Sequence, residues 1–213
     1  MAFPGSPSNG DIYTTANGTI YTYDSTDNKW VIVGSSNPIS DEVYGAGWDG
    51  VVDVAPSKNA LYDRLNNYIL LNETQNNNVQ GATATAGAWR TRILNTEVID
   101  EPDACSLAAN QFTLQAGTYK IFAHATYLAI SRNKARLRNI TDGTTTLLGE
   151  SSFGSVGATQ GGTAFVVGIF TIASAKTFEL QHYPTSTRGS GFGIAANVGV
   201  NEIYAQVELW KVA

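Results

Sequence analysis

A second cysteine is missing from this chain, and with it any intrachain disulfide, since Cys105 stands alone. A lone thiol cannot build a zinc site of several thiolates either, so stability must come from packing or from association. Cys105 follows Asp100, Glu101 and Asp103, and neighbouring negative charge raises a thiol pKa rather than activating the group. Charge is scarce too: Asp, Glu, Lys and Arg make up 15% of the residues, against about 25% in an ordinary globular protein. Thirteen Lys and Arg against eighteen Asp and Glu leave a net charge of −5, the wrong sign for neutralising nucleic-acid phosphates. Long hydrophobic runs are also lacking. The longest stretch of apolar residues and glycine, Ala164 to Phe170, falls far below the roughly 18 residues of a spanning helix, and no membrane insertion is expected. Residues 1 to 7 hold neither a basic nor an apolar segment, so export from this end is not expected and synthesis is placed in a cytoplasm.

Signatures of catalysis are missing as well. No G-x-S-x-G, H-E-x-x-H or P-loop occurs, and only two histidines are present; the chain is not expected to be an enzyme or to hold a cofactor or metal. Gly45 to Gly50 matches G-x-G-x-x-G, but no strand pattern precedes it, Pro56 follows, and position 70 is leucine where a ribose-binding site needs an acid. The acidic groups Asp100, Glu101 and Asp103, and Asp24 with Asp27, lie in turn-like stretches, where such residues bond the local backbone; surface Ca²⁺ binding is the alternative.

What the chain has in plenty is glycine, 21 residues, with β-branched and aromatic residues between turn signals. Between Gly10 and Gly34 the pattern predicts three short strands, about 11 to 15, 19 to 23 and 29 to 33, with Asn17-Gly18 as a hairpin turn. Tyr13, Tyr21, Tyr23 and Trp30 either form a self-packed aromatic cluster or dock this small module onto something else. Residues 35 to 56 and 72 to 88 have linker composition. Between them, 57 to 71 has helical spacing, with Ser57 as N-cap and Leu61, Leu65, Tyr68 and Asn72 on one face. That stripe would meet its own domain or copies of itself about a three-fold axis.

Residues 89 to 213 read as all-β, with strands expected at 89–97, 110–115, 118–128, 134–140, 144–150, 163–172, 176–183 and 202–212, the pattern of a sandwich. The last run alternates Ile203, Ala205, Val207 and Leu209 with Tyr204, Gln206, Glu208 and Trp210. Aromatics on the more polar face suggest contact with another subunit. His124, beside Phe122 and Thr126, and His182, beside Phe178 and Leu180, fit packing roles; copies of one histidine around a three-fold axis could instead gather a metal or anion. Arg132, Lys134, Arg136 and Arg138 fall on one strand face, either solvated or a contact for acidic sugar or phosphate groups. The loop 183 to 190, with Tyr183 and Arg188, has the aromatic-plus-arginine character of recognition surfaces.

Several of these segments resemble tailed-bacteriophage fibre proteins. Gly10 to Val33, with its Y-x-Y-D-x-x-x-x-K-W ending, is similar to small β modules near their N-termini, and WDGVVDVAPSKNALYDRL from Trp48 to Leu65 to another recurrent piece. NQFTLQAGTYK at 110–120, KARLR at 134–138, TFELQH at 177–182 and EIYAQVELW at 202–210 resemble a fibre-tip domain with a C1q/TNF-like jelly roll. The resemblance implies a mainly β chain: a jelly-roll head over 89–213, one short helix, and an N-terminal three-stranded module over 1–34. It implies a virion homotrimer that anchors through Tyr13, Tyr21, Tyr23 and Trp30 and binds a host-surface glycan or envelope component. Tyr183, Arg188 and Arg132 are the expected receptor contacts, and Tyr204, Trp210, Phe178 and His182 the expected trimer interface. Attachment could be to capsid, neck or tail proteins; a capsid head fibre or decoration protein with weak adhesion is the alternative.

Overall fold

The computed structural model describes residues 3–16, 18–35, 39–40, 55–157 and 160–212. In chain order the strands are β1 Ile12–Thr14, β2 Thr19–Asp24, β3 Lys29–Ser35, β4 Ile39–Ser40 and β5 Ala55–Pro56, followed by helix α1 Lys58–Leu65. Then come β6 Tyr68–Gln75, β7 Arg90–Thr91, β8 Thr96–Asp100, β9 Cys105–Ala108, β10 Gln111–Leu114 and β11 Gly117–Leu128. The last are β12 Ser131–Asn139, β13 Thr144–Gly154, β14 Gly161–Ile172, β15 Lys176–Pro184 and β16 Glu202–Lys211. Two compact units result, Met1–Leu65 and Asn66–Ala213.

In the first unit β1, β2 and β3 form the expected antiparallel sheet. Gly18, at φ 81°, takes the positive φ that the first hairpin requires. On one face Trp30 lies 6.1 Å from Tyr13 and 5.4 Å from Tyr23, and Phe3 stacks on Trp30 at 5.3 Å while meeting Tyr13 and Tyr21 edge-on. The aromatic cluster is therefore self-packed, with Phe3 as its cover. The Gly45–Gly50 motif lies outside the described residues.

The helix is shorter than its spacing predicts. It begins where the Ser57 carbonyl accepts from Leu61 N at 3.1 Å, but it ends at Leu65, and Tyr68–Gln75 is a strand rather than helix and linker. Asn66-Asn67 interrupts the helix, both residues being weak helix formers. Beyond them Ile69 and Leu71 alternate with Tyr68 and Leu70 at the strand period and are fully buried. The second unit thus starts at Asn66, not at residue 89, and the expected strand 89–97 is replaced by the short β7 and by β8.

The jelly roll is read from the pairing of its eight main strands. β6 pairs with β16, β10 with β15, β11 with β14, and β12 with β13. First joins last, second joins last but one, and so inward, which is the nested double Greek key. One sheet runs β14-β11-β16-β6-β8 and the other β13-β12-β15-β10-β9, with β7 added beside β15. Both are antiparallel. Between them lie the buried Ile69, Leu71, Phe112, Leu114, Ile121, Phe178, Leu180, Val207 and Leu209, each side chain contributing about 1.5–3 kcal/mol through burial.

The simple alternation expected along β16 fails at its start. The register with β6 shifts between Ile203 and Ala205, and this bulge turns Tyr204 to the inside, so that both Tyr204 and Ala205 are buried while Ile203 is exposed. Tyr204 Oη then donates to the Val79 carbonyl at 2.8 Å.

Candidate functional site

Two surfaces of the jelly roll expose large apolar side chains, and the second also carries cations without a side-chain partner among the described residues. The first is the outer face of the sheet β14-β11-β16-β6-β8. Strand pairing sets its residues in rows across the sheet. Val167, Phe122, Glu208, Leu70 and Ile99 form one row, and Ile169, Lys120, Trp210 and Tyr68 the next. A third runs Phe165, His124, Gln206 and Asn72. His124 Nε2 lies 3.1 Å from Gln206 Oε1, and Gln206 Nε2 donates to Asn72 Oδ1 at 3.1 Å. Tyr68 Oη donates to Glu208 at 2.9 Å, and burial together with that carboxylate pushes the Tyr68 pKa up to about 12. The aliphatic side is bare, Val167 being 58% and Ile169 63% exposed. Aligned apolar side chains of this size on a sheet face mark a contact surface.

Of the residues expected at a trimer interface, Trp210 lies on this face, 5.3 Å from Tyr68. Phe178 and His182 do not. Both are fully buried between the sheets, and Tyr204 is turned inward by the bulge, so none of the three is presented to a neighbour. Phe178 and Leu180 alternate with Glu179 and Gln181 along β15, and the apolar side of that alternation, with His182 on it, faces the core, as the packing reading of His182 expects. His182 Nε2 meets Asn133 Oδ1 at 2.9 Å, and its ring stacks on Phe192 at 5.4 Å. Burial, with Arg92 nearby, pushes its pKa down to about 3. That is the packing role, and it removes His182 from any axial metal site. The face residues missed in the sequence are Val167 and Ile169; the signal was there, because 164–170 is apolar on both sides of the strand, as in strands covered on both faces.

The second surface is a groove of about 520 Å³ on the other sheet, walled by Trp89, Arg132, Lys134, Phe153, Tyr183 and Thr185 with Asn133, Ser151 and Ser152. Arg132, Lys134, Arg136 and Arg138 do share the outer side of β12, with Asn133, Ala135, Leu137 and Asn139 buried behind them. Arg136 is committed. Its guanidinium lies 4.1 Å from the Trp89 ring centre and donates to Gln181 Oε1 and Thr145 Oγ1. Gln181 continues to Glu179, which also accepts from Thr91 and Gln111. Burial opposes the Glu179 charge, but those three donors outweigh it and hold its pKa below the ordinary value. Trp89 is thereby held against Tyr183, ring centres 5.5 Å apart and edge to face. Arg132 and Lys134 form no side-chain hydrogen bond or ion pair with any described residue.

Arg188 is elsewhere. Its backbone bridges to Ala84, N to O at 2.9 Å, and its side chain is not part of the groove wall. The acid clusters are turn builders: Asp100 accepts from Ala104 and Cys105 backbone N, and Asp24 from Thr26 and Asp27. Cys105 is held near pKa 12, by burial first and then by Asp100 and Glu97. Among the described residues no group of three or more His, Cys, Asp or Glu is placed to hold a metal, and no helix is long and apolar enough to cross a membrane.

The strand pairing of this unit is that of a jelly roll. The chain is similar to the globular domain of zebrafish complement 1qA protein, at 16% identity over 70% of this chain and 98% of that one, with a TM-score of 0.46. It is similar to Eiger TNF from S. frugiperda, at 12% identity over 69% and 94%, TM-score 0.48. It is also similar to PRD1 vertex protein P5, at 14% identity over 70% and 98%, TM-score 0.38. No protein-family model and no curated protein matches the sequence.

Proposed function

We propose that this chain is a bacteriophage virion fibre protein. Three copies associate through the outer face of the β14-β11-β16-β6-β8 sheet, the N-terminal module attaches to the particle, and the jelly roll meets a component of the host-cell surface. The observation that carries the assembly is the set of apolar side chains Phe122, Val167, Ile169, Leu70 and Trp210 in two adjacent rows, which also hold Glu208 and Lys120. A sheet with a packed core on one side and exposed large aliphatics on the other is stabilised by burying the second side as well. The fibre assignment is supported by the motifs at 10–33, 48–65 and 110–120. Anchoring by residues 1–34 would use the module as a preformed unit, since Tyr13, Tyr21 and Trp30 already pack under Phe3, and Tyr23 packs on Trp30.

Two measurements test this. Light scattering of the purified chain should return three times 22.7 kDa; a monomer at concentrations well above micromolar overturns the assembly. Immunogold microscopy of phage particles, with antibody raised against 66–213, should label them. Gold at tail tips supports a receptor-binding fibre, gold on head or neck supports an accessory fibre, and unlabelled intact particles overturn the virion assignment.

A further inference from the structure

The groove on the other sheet has features that neither assembly nor virion attachment explains. Aromatic rings wall it: Phe153 is 57% exposed, Tyr183 is half-buried, and Trp89 is locked in place from beneath by Arg136. The exposed Phe153 thus stands beside two cations, Arg132 and Lys134, that no described residue pairs with. We propose that this groove is a binding site for an acidic saccharide, a pyranose chain bearing carboxylates. This deepens the surface-binding role given above by naming the class of ligand.

Three observations select that chemistry. First, volume: about 520 Å³ lies in the range of roughly 300–1,000 Å³ typical of small-ligand sites, room for a short oligosaccharide rather than a single ion. Second, the wall combines flat apolar rings with the hydroxyls of Ser151 and Thr185; ring faces suit the apolar C–H faces of a pyranose, and hydroxyls suit its rim. Third, charge: Arg132 and Lys134 lie at alternate positions of β12 on the same side of the strand, without a carboxylate partner among the described residues. Arginine pairs with a planar carboxylate through two parallel hydrogen bonds. Bare phosphate would use the cations and leave the rings unused, and a neutral sugar would do the reverse.

Support from behind makes the site preformed. The ladder Thr145–Arg136–Gln181–Glu179, closed by Thr91 and Gln111, is hydrogen-bonded throughout, so Arg136 cannot swing into the groove and Trp89 keeps its plane. Arg132 is held only through its backbone, whose carbonyl accepts from Thr185. The recognition charge is therefore free to meet a ligand while the stacking ring is fixed.

The test uses the intact protein and three probes in titration calorimetry: a trisaccharide of galacturonic acid, the same trisaccharide with its carboxylates reduced to alcohols, and inorganic phosphate. The acidic trisaccharide should bind one site per chain and weaken as salt is raised. The reduced form should bind at least about tenfold more weakly, and Arg132→Ala and Phe153→Ser should each cost about tenfold, the loss of an interface hot spot. Arg132→Lys should recover part of the loss, which a merely structural role would not predict. Equal binding of the reduced trisaccharide, saturation by phosphate in competition with the sugar, unchanged binding in both variants, or no binding of the acidic trisaccharide overturns the proposal. Because no particle or cell enters the measurement, a chain that binds the sugar but is absent from virions would sink the fibre assignment and leave the groove assignment standing, and the converse result would do the opposite.

Discussion

Arg92 donates through Nε to Glu73 Oε2 across 2.7 Å, with the two side chains 0% and 1% exposed. The same guanidinium donates to the carbonyls of Thr126, Phe192 and Tyr204 and lies 4.6 Å from the centre of the Phe192 ring. One cation thus ties β6, β11, the loop before β16 and the bulge within β16. Among hydrogen-bonded charges of this kind, removing one partner is far more damaging than the net worth of the pair.

Arg92→Met is therefore expected to destabilise the fold by about 3–5 kcal/mol, because it leaves the Glu73 charge buried without its partner and takes a donor from the carbonyls of Thr126, Phe192 and Tyr204, the last two of which Thr126 Oγ1 also reaches. Glu73→Gln should cost less, since the carbonyl contacts of Arg92 survive. Urea unfolding of both variants checks the order; equal losses would mean that the carbonyl contacts add nothing.

Stability should fall in acid by way of His182. Its pKa moves from the ordinary 6.5 to about 3 in the folded chain, so the unfolded chain binds a proton that the folded one refuses. The contribution is complete above pH 6.5 and declines as pH drops toward 3, by up to about 1.4 kcal/mol per pH unit. Asp24, Glu179 and Glu202, whose pKa values are lowered on folding, act in the same direction below their ordinary range. His182→Gln keeps an amide to meet Asn133 and should flatten the decline by one proton between those limits; urea midpoints across pH compare the two proteins.

On the proposed assembly face, Val167→Asp places a carboxylate beside Phe122. It should convert the proposed trimer to a monomer of 22.7 kDa with an unchanged far-ultraviolet spectrum. Leu148→Asp, equally exposed but on β13 of the opposite sheet, should leave the assembly intact. Light scattering reads both, and loss of the trimer in the second variant would relocate the interface.

Gly193 packs where no side chain fits. Its φ is +153°, and a Cβ there would sit 2.0 Å from the Tyr204 ring, which the bulge has turned inward. Gly193→Ala should destabilise by roughly 2 kcal/mol or more through overpacking; thermal unfolding checks it. A neutral result would mean that Tyr204 can move away and release its bond to Val79.

The strands of the jelly roll from β10 onward were legible because they are runs of β-branched, aromatic and alternating residues between turn signals. The aromatic module was legible for the same reason, through Asn17-Gly18 and the Tyr-x-Tyr spacing. The basic side of β12 followed from strand geometry alone. By contrast, β6 was hidden. Leu61, Leu65, Tyr68 and Asn72 fit a helical stripe, and only pairing of Ile69 to Leu209 and Leu71 to Val207 gives Tyr68–Gln75 enough hydrogen bonds and burial to be extended.

Alternation, turn chemistry and charge are local, and the sequence by itself determined the all-β class, the turns, and which residues of most strands share a side. Which of those sides is core is a property of the pair of sheets. Tertiary structure alone flipped Tyr204 through a bulge, left Val167 and Ile169 bare, and carried Trp89 across to Tyr183. The physical reason is that burial and close packing depend on partners distant in the chain, and no window of neighbouring residues contains them.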